Sequence, residues 1–415
     1  MSATKTSAKV PKLRFPGFDQ PWQRQALGAV GQFKNGLNKG KEDFGFGYPF
    51  VNLMDVFGRS TLSSASFGLV NATDADLQAY DLTAGDVLFI RSSVKREGVG
   101  EAILVAEDLP NTVYSGFLIR FREHGSTLVP GFKRHGFGVR QFRQQVLSLA
   151  TTSANTNINQ DSLEQVEVSY PIEAEQKKIA AFLTAVDGRI GQLSQKKALL
   201  EDYKKGVMQQ LFTQALRFKD DHANEFPDWE EKTLGAISSF SKGCGISKAE
   251  VHEDGALPCI RYGELYTHYS ELIRAVKSRT NVPEKDLVLS KRNDVIIPAS
   301  GETHIDIATA SCVTVDGVAL GGDLNIIRTK QNGVFLAYYL NNACKHAIAG
   351  MAQGSSVIHL YPDQLKRLRL HLPSLKEQTK IANFLTALDR KIESVAQQIT
   401  HTQAFKKGLL QQMFV

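Results

Sequence analysis

The segment EQKKIAAFLTAVD at residues 175–187 recurs as EQTKIANFLTALD at residues 377–389. Aligning each residue with the one 202 positions later matches 171–212 to 373–414 without a gap, and 19 of these 42 positions are identical. Solenoid and propeller repeats have periods of about 20 to 50 residues. The much longer period indicates a duplicated module, and the fold of the chain depends on what the repeated segment forms.

A second set of matches lies at the start of each copy, 207 positions apart. The matched residues are Trp22, Leu27, Gly28, Ala29, Phe33 and Gly36 with Trp229, Leu234, Gly235, Ala236, Phe240 and Gly243. Between these ends, GDVLFIRSS at 85–93 resembles NDVIIPASG at 293–301, and SGFLIRF at 115–121 resembles GGDLNIIR at 321–328. Each copy therefore has a variable body followed by a well-matched tail.

The tails are predicted to be long helices. Apolar residues recur in them at alternating spacings of four and three, which is typical of a coiled-coil seam. Pro171 and Pro373 suit positions just ahead of the helices, and the glutamates that follow favour a helix N-terminus. Each helix would have about 40 residues and a length of roughly 60 Å. The seam residues are Ile179, Leu183, Val186, Ile190, Leu193, Ile381, Leu385, Leu388, Ile392 and Val395.

A long helix with one apolar seam needs a partner, and the other copy in the same chain is the nearest candidate. Several repeated residues lie outside the seam, and core packing does not require them. A generic coiled coil leaves them unexplained, so we expect another surface to contact them. The expected docking residues are Glu175, Gln176, Lys204, Lys205, Gln209, Glu377, Gln378, Lys406, Lys407 and Gln411.

The bodies are predicted to be mixed α/β domains. Short β-rich runs such as DVLFI at 86–90 and DVIIP at 294–298 are separated by turns rich in glycine, asparagine and serine, whereas VFLAYYLNNACKHAIAG at 334–350 is predicted to be helical. The predicted divisions are a disordered tail at 1–13, a first domain at 14–170, a first spacer helix at 171–216, a second domain at 217–372 and a second spacer helix at 373–415.

The composition is ordinary for a globular protein, with 42% hydrophobic and 22% charged residues among 415. This length suits two or more domains. No run reaches the roughly 18 apolar residues of a membrane span and no apolar block follows the first lysines, so we expect a cytoplasmic protein without membrane contact. The net charge of +6 permits a nucleic-acid partner without requiring one. The four cysteines form no C-x-x-C pair, so buried thiols are expected.

No catalytic constellation stands out in the sequence. It contains no G-x-x-x-x-G-K-[ST] phosphate loop and no asparagine- or aspartate-Pro-Pro-aromatic tetrapeptide, which adenine methyltransferases have. A catalytic role could be given to His304 with Asp306, and to His359, but polar positions at strand ends explain these residues more simply. Glu175 and Lys177 resemble a fragment of a nuclease site but lack a companion acid. We therefore expect a binding protein without catalytic or metal-binding residues.

The order of body, P-x-x-x-E-Q-x-K-I-A-x-F-L helix, body and second such helix resembles the DNA-specificity subunit of type I restriction-modification systems. The resemblance begins near Arg14, and the openings RFPGFDQPWQRQALGAV at 14–30 and EFPDWEEKTLGAI at 225–237 are similar to the W-x-x-x-x-L-G starts of that family. It implies duplicated α/β (α+β) target recognition domains, each for one half of a bipartite, asymmetric DNA site. It also implies that the two helices form an antiparallel intramolecular coiled coil with pseudo-two-fold symmetry, which fixes the spacing of the halves.

A subunit of this family has no catalysis of its own. The resemblance implies two methyltransferase subunits, which methylate adenine with S-adenosylmethionine, and two motor-nuclease subunits. S-adenosylmethionine, ATP and magnesium are then expected on these partners, and no cofactor is expected on this chain. The repeated tail is explained if two copies of one methyltransferase dock on the same surface. Two alternatives stay open: a coiled-coil scaffold whose bodies bind protein instead of DNA, and an enzyme that modifies DNA alone.

The candidate DNA contacts lie in glycine- and lysine-rich turns and in loops after apolar strands. Glycine lets the backbone approach a partner, and lysine contacts phosphate, although a solvated surface explains any single lysine as well. The candidates in the first domain are Lys34, Asn35, Lys39, Lys41, Arg91, Ser92, Lys95 and Arg96. Those in the second are Lys242, Ser247, Lys248, Ser300, Thr303, His304, Ser355 and Ser356.

Overall fold

The computed structural model describes residues 10–152 and 155–415. The chain divides into two compact units. The first unit is drawn from the chain up to Ser194 together with Gln397–Val415, and the second is Gln195–Ala396. The divisions fall inside both long helices, so each unit contains one body and a part of each helix. The units differ from the predicted divisions, which separate the helices from the bodies, because the helices pack against the bodies.

Short strands and helices make up the body of the first unit. Its strands are β1 (Gln23–Ala26), β2 (Gly31–Asn35), β3 (Phe44–Val51), β4 (Thr61–Leu62), β5 (Gly68–Val70), β6 (Val87–Ile90), β7 (Ser92–Ser93), β8 (Ala102–Val105), β9 (Val113–Tyr114), β10 (Leu118–Glu123), β11 (Thr151–Thr152), β12 (Thr156–Asn157) and β13 (Glu167–Tyr170). Its α-helices are α1 (Leu27–Val30), α2 (Leu53–Val56), α3 (Asp74–Ala79), α4 (Pro130–Gly136), α5 (Arg140–Leu149) and α6 (Gln160–Glu164), followed by the long helix α7 (Glu173–Phe212).

The central sheet of the first unit has the strand order β2-β10-β6-β8-β4, and the smaller sheets are β5-β3-β9, β11-β12-β7 and β1-β13. The central sheet is buried on both faces. Val87 and Phe89 share a core with Phe132 of α4, whereas Leu88 and Ile90 belong to a second core. Successive side chains of a strand point to opposite faces. The unbroken apolar run of β6 is therefore what a sheet covered on both sides requires.

The body of the second unit follows the same plan. Its strands are β14 (Glu230–Thr233), β15 (Ser238–Lys242), β16 (Val251–His252), β17 (Leu257–Ile260), β18 (Leu272–Ile273), β19 (Ser278–Thr280), β20 (Val288–Leu289), β21 (Asp294–Pro298), β22 (Ser300–Gly301), β23 (Ser311–Val313), β24 (Ala319–Leu320), β25 (Leu324–Thr329), β26 (Ile358–His359) and β27 (Arg369–Leu372). Its α-helices are α8 (Leu234–Ile237), α9 (Glu264–Thr267), α10 (His304–Ile307), α11 (Gly333–Asn342), α12 (Lys345–Met351) and α13 (Pro362–Lys366), followed by the long helix α14 (Leu375–Met413).

The central sheet of the second unit has the order β15-β25-β21-β23-β18, which corresponds strand for strand to that of the first. The remaining sheets are β16-β19-β17-β24-β20, β22-β26 and β14-β27. The predicted helix at 334–350 is two helices, α11 and α12, with Cys344 between them. The structure thus confirms the predicted duplicated α/β fold.

The four cysteines are free thiols. Burial raises the pKa of Cys259 to about 11 and the pKa values of Cys312 and Cys344 to about 12. These three side chains therefore stay protonated and unreactive at neutral pH. Within the described ranges, no three His, Cys, Asp or Glu side chains are placed to hold a metal ion. The helices of the described chain also include none with the length and apolar character to cross a membrane.

The long helices α7 and α14 have 40 and 39 residues, as predicted. In the first unit their segments run antiparallel. Lys406 of α14 pairs with Asp187 of α7 at 2.6 Å. Further along α14, the carbonyl of Gln412 accepts a hydrogen bond from the amide of Leu13, and the adjacent Arg14 pairs with Glu175 near the start of α7. Rising numbers in α14 thus meet falling numbers in α7.

The segments of α7 and α14 in the second unit are antiparallel too. Asp389 pairs with Lys204 at 2.7 Å. Earlier in α14, Lys380 donates a hydrogen bond at 2.9 Å to the carbonyl of Lys219, which follows the end of α7. The antiparallel packing implied by the resemblance is therefore present within each unit.

The predicted seam is the covered side of each helix, and the bodies help to cover it. All ten seam residues are buried or half-buried. Ile179 and Leu183 belong to the core that includes α4, and Ile381 and Leu385 belong to the core that includes α11. Lys204, which interrupts the seam, is only 14% exposed because it pairs with Asp389. Helix and body therefore share one core in each unit.

Two matched glycines hold the end of the first central strand close to a neighbouring turn. A Cβ atom on Gly36 would lie 2.2 Å from the carbonyl oxygen of Ser115, and one on Gly243 would lie 2.0 Å from that of Gly321. No side chain fits at such distances. We predicted from the sequence that these glycines let a partner approach the backbone, but the close approach is to the protein's own backbone.

The buried imidazole of His135 makes stability depend on pH. Burial lowers the pKa of His135 to about 4, although the carboxylate of Asp187 opposes the shift; Arg134 and Lys406 add to it. Between the ordinary histidine pKa of about 6.5 and this value, the unfolded chain binds a proton that the folded chain does not. The free energy of unfolding therefore falls as the pH falls through this window, by roughly 3 kcal/mol for this group.

Chemical denaturation at pH 7 and at pH 4.5 measures this loss. The His135→Gln variant has no imidazole at this position, so its free energy of unfolding should fall less over the same interval than that of the unchanged chain. Equal losses in the two proteins would show that His135 is not the titrating group.

Substitution of Gly243 tests the close approach to Gly321. Gly243→Ala should lower the free energy of unfolding by about 2 kcal/mol, the usual cost of overpacking. Gly245→Ala is the matched control, because a Cβ atom at Gly245 meets nothing within 4 Å. Thermal and urea unfolding of both variants check the difference, and equal stability would contradict the packing described here.

Candidate nucleic-acid interface

Four segments of each body meet at one end of the central sheet, and we call this place the loop edge. It consists of 36–38, 91–93, 115–117 and 156–158 in the first unit, and of 243–245, 299–301, 321–323 and 358–360 in the second. The segments lie far apart in sequence, so the fold alone brings them together.

Backbone hydrogen bonds build the loop edge of the first unit. The Gly36 amide donates to the carbonyl of Leu118 at 3.0 Å, and the Arg91 amide donates to that of Phe117 at 2.8 Å. The Ile158 amide donates to the carbonyl of Arg91 at 2.9 Å. The turn before β10 is therefore held between the end of β2 and the segment after β6.

The loop edge of the second unit has the same hydrogen bonds. The Gly243 amide donates to the carbonyl of Leu324 at 3.1 Å, and the Ala299 amide donates to that of Asp323 at 2.7 Å. The Leu360 amide donates to the carbonyl of Ala299 at 3.0 Å. The backbone of the loop edge is thus the same in the two units, although its side chains differ.

The lysines predicted to contact DNA at the end of β2 and in the turn after it differ in their surroundings. The Nζ atom of Lys34 lies 5.0 Å from the ring centroid of Tyr80, and Lys39 pairs with Asp76 at 3.0 Å. Lys41 is exposed. Two of these cations are therefore held against the body, whereas Lys41 extends into solvent.

The cations predicted after β6 lie on or beside the loop edge. Arg91 is half-buried, and its Nη1 atom donates to the carbonyl of Gly116 at 3.3 Å. Arg96 is exposed and donates to the carbonyl of Leu147 at 3.4 Å. Lys95 is exposed. Arg91 thus stiffens the turn before β10, and Lys95 and Arg96 supply positive charge beside it.

Polar candidates occupy matching strands of the two units. Asn35 ends β2, and Ser92 begins β7, where it pairs with Asn157. Its counterpart in the second unit, Ser300, begins β22 and pairs with His359. The structure therefore places both predicted serines on the loop edge, each beside a polar residue.

The basic turn of the second unit is exposed. Lys242 lies at the end of β15, with its Nζ atom 5.7 Å from the ring centroid of Tyr361. Ser247 and Lys248 lie at a short helical turn, where the Ser247 amide donates to the carboxylate of Glu250 at 2.8 Å. This turn presents two lysines next to the loop edge.

Two candidates of the second domain have structural roles. Thr303 caps α10, since its hydroxyl accepts a hydrogen bond from the amide of Asp306 at 3.1 Å. The Nδ1 atom of His304 lies 3.2 Å from the carbonyl of Ala349. Residues 355–356, both serine, are exposed in the loop before β26. Local structure thus explains Thr303 and His304, and the serines lie in an open loop.

Three loop-edge side chains were absent from the candidates drawn from sequence: Phe117, Asp323 and His359. Phe117 is 57% exposed although it is a large apolar residue. Aligning SGFL at 115–118 with GGDL at 321–324 places Phe117 opposite Asp323. The sequence could have indicated these two residues, because the alignment marks a position that differs inside a turn that both copies share.

The repeated Glu-Gln pair at the start of α7 is buried. Glu175 and Gln176 are each 1% exposed. Arg14 donates two hydrogen bonds to Glu175, at 2.9 and 2.6 Å. Gln176 donates to the carbonyls of Thr127 and Pro171, at 2.8 and 2.9 Å. These side chains tie the helix start to the body.

The second copy of the pair has the same role. Glu377 and Gln378 are fully buried. Arg217 pairs with Glu377 at 2.9 Å, and Gln378 accepts from the amide of Asn332 at 3.0 Å and donates to the carbonyl of Pro373 at 2.9 Å. The prediction that the Glu-Gln pairs dock a partner does not hold, because their side chains are buried and bonded within their own units. Each buried carboxylate has there the cation that its charge requires.

The repeated lysines Lys204 and Lys406 are also engaged internally. Lys204 pairs with Asp389, and Lys406 pairs with Asp187 at 2.6 Å. Arg134 of α4 also pairs with Asp187, at 3.1 Å. The repeated lysine and aspartate are therefore explained by contacts between helix segments within one unit.

The other predicted docking residues, Lys205, Gln209, Lys407 and Gln411, are exposed. A row of repeated positions lies beside them, and we call it the helix stripe. It consists of Gln195, Tyr203, Gly206 and Gln210 on α7 and of Gln397, Phe405, Gly408 and Gln412 on α14. Spacings of eight, three and four place each row on one helix face. Tyr203 and Phe405 are 53% and 56% exposed, which is unusual for large aromatic residues.

The chain resembles known proteins over most of its length. A family model for the type I restriction modification DNA specificity domain matches residues 20–202 and 227–401. A putative type I restriction enzyme specificity subunit of Methanocaldococcus jannaschii is 25% identical over 94% of this chain and 92% of that protein. A putative specificity subunit of Haemophilus influenzae is 26% identical over 40% of this chain and 41% of that protein.

Two solved structures share the fold. The S subunit of a type I restriction-modification system from M. genitalium superposes with a TM-score of 0.58 at 14% identity, over 98% of this chain and 99% of that one. A chain from a study of complex assembly and conformational transition in a type I restriction-modification system gives 0.59 at 16% identity, over 97% and 99%. The family model matches most of this chain, in two segments. The chain therefore belongs to the type I restriction-modification DNA specificity family and carries its specificity domain twice.

Proposed function

We propose that this chain is the DNA-reading subunit of a type I restriction-modification complex, in which each body reads one half of a bipartite, asymmetric site. The loop edge carries this proposal, because its backbone is the same in the two units and its side chains are not. Arg91 of the first unit corresponds to Ala299 of the second, and Phe117 corresponds to Asp323. Bases are read by side chains, so the two edges are expected to prefer different sequences.

Exposed cations beside each loop edge support a DNA partner. Lys41 and Lys95 serve the first unit, and Lys242 and Lys248 serve the second. Such cations neutralise phosphates and position the body without reporting sequence. The alternative scaffold, whose bodies bind protein, predicts no salt-dependent affinity for duplex DNA and is separated from this proposal by that measurement.

The helix stripe is proposed as the docking surface for the methyltransferase subunits. Its support is that it recurs on both long helices with an exposed aromatic residue in each copy, whereas the repeated buried residues are explained within the units. Two copies of the stripe fit two methyltransferase subunits. In this proposal S-adenosylmethionine, ATP and magnesium are bound by the methyltransferase and motor-nuclease subunits, two of each, and this chain is not catalytic. The long helices set the spacing of the half-sites, and 14–170 and 217–372 act as exchangeable modules.

Mapping of methylated adenine in a host genome, with and without this gene, tests the proposal. A bipartite motif should be methylated only when the gene is present. Replacing 14–170 by the corresponding body of another specificity subunit should change one half of the motif and leave the other half and the spacer unchanged. A methylation pattern that does not depend on the gene would refute the proposal.

Lysines that contact phosphate are expected to act on all DNA sequences alike. Lys41→Ala combined with Lys95→Ala should weaken binding to cognate and random duplexes by similar factors. The slope of log affinity against log salt is negative, and its magnitude should fall by about 0.9 for each phosphate that the variant no longer neutralises. Titrations between low and moderate salt measure this slope.

Lys39→Ala is the control for these lysines, because Lys39 already pairs with Asp76 and is 20% exposed. It should change the slope less than either exposed lysine does. Selective loss of cognate binding by the double variant would instead make Lys41 or Lys95 a base-reading residue.

The aromatic residues of the helix stripe are expected to anchor the methyltransferase. Tyr203→Ala combined with Phe405→Ala should weaken its association by more than tenfold, as loss of buried aromatic anchors does. DNA binding by the chain itself should be unchanged. Tyr203→Ala alone should leave a complex with one methyltransferase, which light scattering coupled to size-exclusion chromatography detects.

The chain offers a matched control for this experiment. Tyr203→Phe combined with Phe405→Tyr exchanges the two residue types already found at this position, so the complex should retain both methyltransferase subunits. An intact complex in the double alanine variant would place docking elsewhere on the chain.

A further inference from the structure

A chain of polar side chains lies on the loop edge of the second unit. The Oγ atom of Ser300 lies 3.2 Å from Oδ1 of Asp323 and 3.3 Å from Nδ1 of His359. The His359 ring stacks on Tyr361 with centroids 6.1 Å apart, and the Nζ atom of Lys242 lies 5.7 Å from the Tyr361 centroid. Five residues from four segments of the body therefore hold one another in place at an exposed edge.

The available donors decide the direction of these hydrogen bonds. A carboxylate only accepts, so the single hydroxyl hydrogen of Ser300 is donated to Asp323. The Ser300 oxygen then accepts from Nδ1–H of His359. This part of the loop edge therefore presents an acceptor, the remaining lone pairs of the Asp323 carboxylate.

Asp323 differs from the acidic side chains that serve the fold. In the described part of the chain, no lysine, arginine or histidine forms an ion pair with it, and it is exposed. A carboxylate close to DNA is repelled by phosphates. A hydrogen bond from a base offsets this cost, and Lys242, at the other end of the polar chain, adds compensating positive charge. An acceptor at this place is thus suited to a base edge and not to the DNA backbone.

The major groove offers only two kinds of amino donor, N6 of adenine and N4 of cytosine, whereas guanine and thymine present the acceptors O6 and O4. We propose that Asp323 is a specificity-determining residue of the second body and accepts a hydrogen bond from adenine or cytosine in its half-site. Ser300 and His359 are positioning residues that orient the carboxylate. The inference rests on the proposed function, because it requires that this body read DNA.

The first unit supplies the counterpart of this position. Phe117 takes the place of Asp323 in the same turn, and its side chain has no hydrogen-bonding group. Its exposed ring suits an apolar contact such as the thymine methyl group. One turn of the shared frame therefore reads by hydrogen bonding in one unit and by apolar contact in the other.

Selection from a library of duplex DNA with randomised base pairs tests the inference, using the full chain with its methyltransferase subunits. The unchanged complex should enrich a bipartite sequence that prefers adenine or cytosine at one position of the second half-site. Asp323→Ala removes the acceptor from an exposed position and should reduce that preference roughly fivefold or more. Every position of the first half-site should keep its preference.

Two further variants sharpen the test. Ser300→Ala frees the carboxylate and should weaken the same preference less than Asp323→Ala does. Phe117→Ala is the matched control and should alter only the first half-site. Thermal unfolding confirms that each variant is folded, which we expect because Asp323 and Phe117 are exposed.

Each outcome decides the matter. Unchanged preferences at all positions with Asp323→Ala, or an equal loss of affinity for all duplexes, would overturn the inference and leave the proposed function standing. A preference for guanine or thymine at the affected position in the unchanged complex would also overturn it. If the unchanged complex enriches no sequence, the proposed function and the inference fail together.

Discussion

Each unit depends on the burial of one face of a long helix against the body of the same unit. Leu183 and Leu385 are completely buried in the cores of the bodies. Loss of such a leucine side chain typically costs about 2 to 5 kcal/mol, a large part of the roughly 5 to 15 kcal/mol that stabilises a domain. A long helix with mostly polar sides has little reason to keep its position in water without this contact. The seam residues therefore pack both against the other long helix and against the body of the same unit.

A buried carboxylate near the start of each long helix pairs with an arginine that precedes the body of the same unit. Glu175 pairs with Arg14, 161 residues earlier in the chain, and Glu377 pairs with Arg217, 160 residues earlier. Removing one partner of such a pair leaves an uncompensated charge at a cost of about 3 to 5 kcal/mol. Because the arginine precedes the body and the glutamate follows it, the pair closes the body into a loop on its helix. The sheet and the loop edge thereby gain a fixed orientation on the helix of that unit.

The loop edges of the two units have the same backbone hydrogen bonds and different side chains. This combination suits a protein that presents two different surfaces on one fold. Gly36 and Gly243 are needed for backbone contacts, and the hydrogen bonds around them recur. The side chains mounted on this frame are free to differ, as Phe117 and Asp323 do. Such an arrangement lets specificity change without a change in folding, because exposed side chains contribute little to stability.

The sequence by itself determined the duplication, the two long helices and the α/β character of the bodies. These features follow from periodicity and from identities between the copies, which are properties of the chain that need no knowledge of distant contacts. Only the tertiary structure decided which repeated residues face inward. The Glu-Gln pairs resemble a surface motif in sequence, yet their partners lie up to 161 residues away and bury them. The polar chain of Ser300 and His359, 59 residues apart, was equally hidden. Whether a polar side chain is buried, paired or exposed depends on what the fold brings beside it, and no local pattern records that.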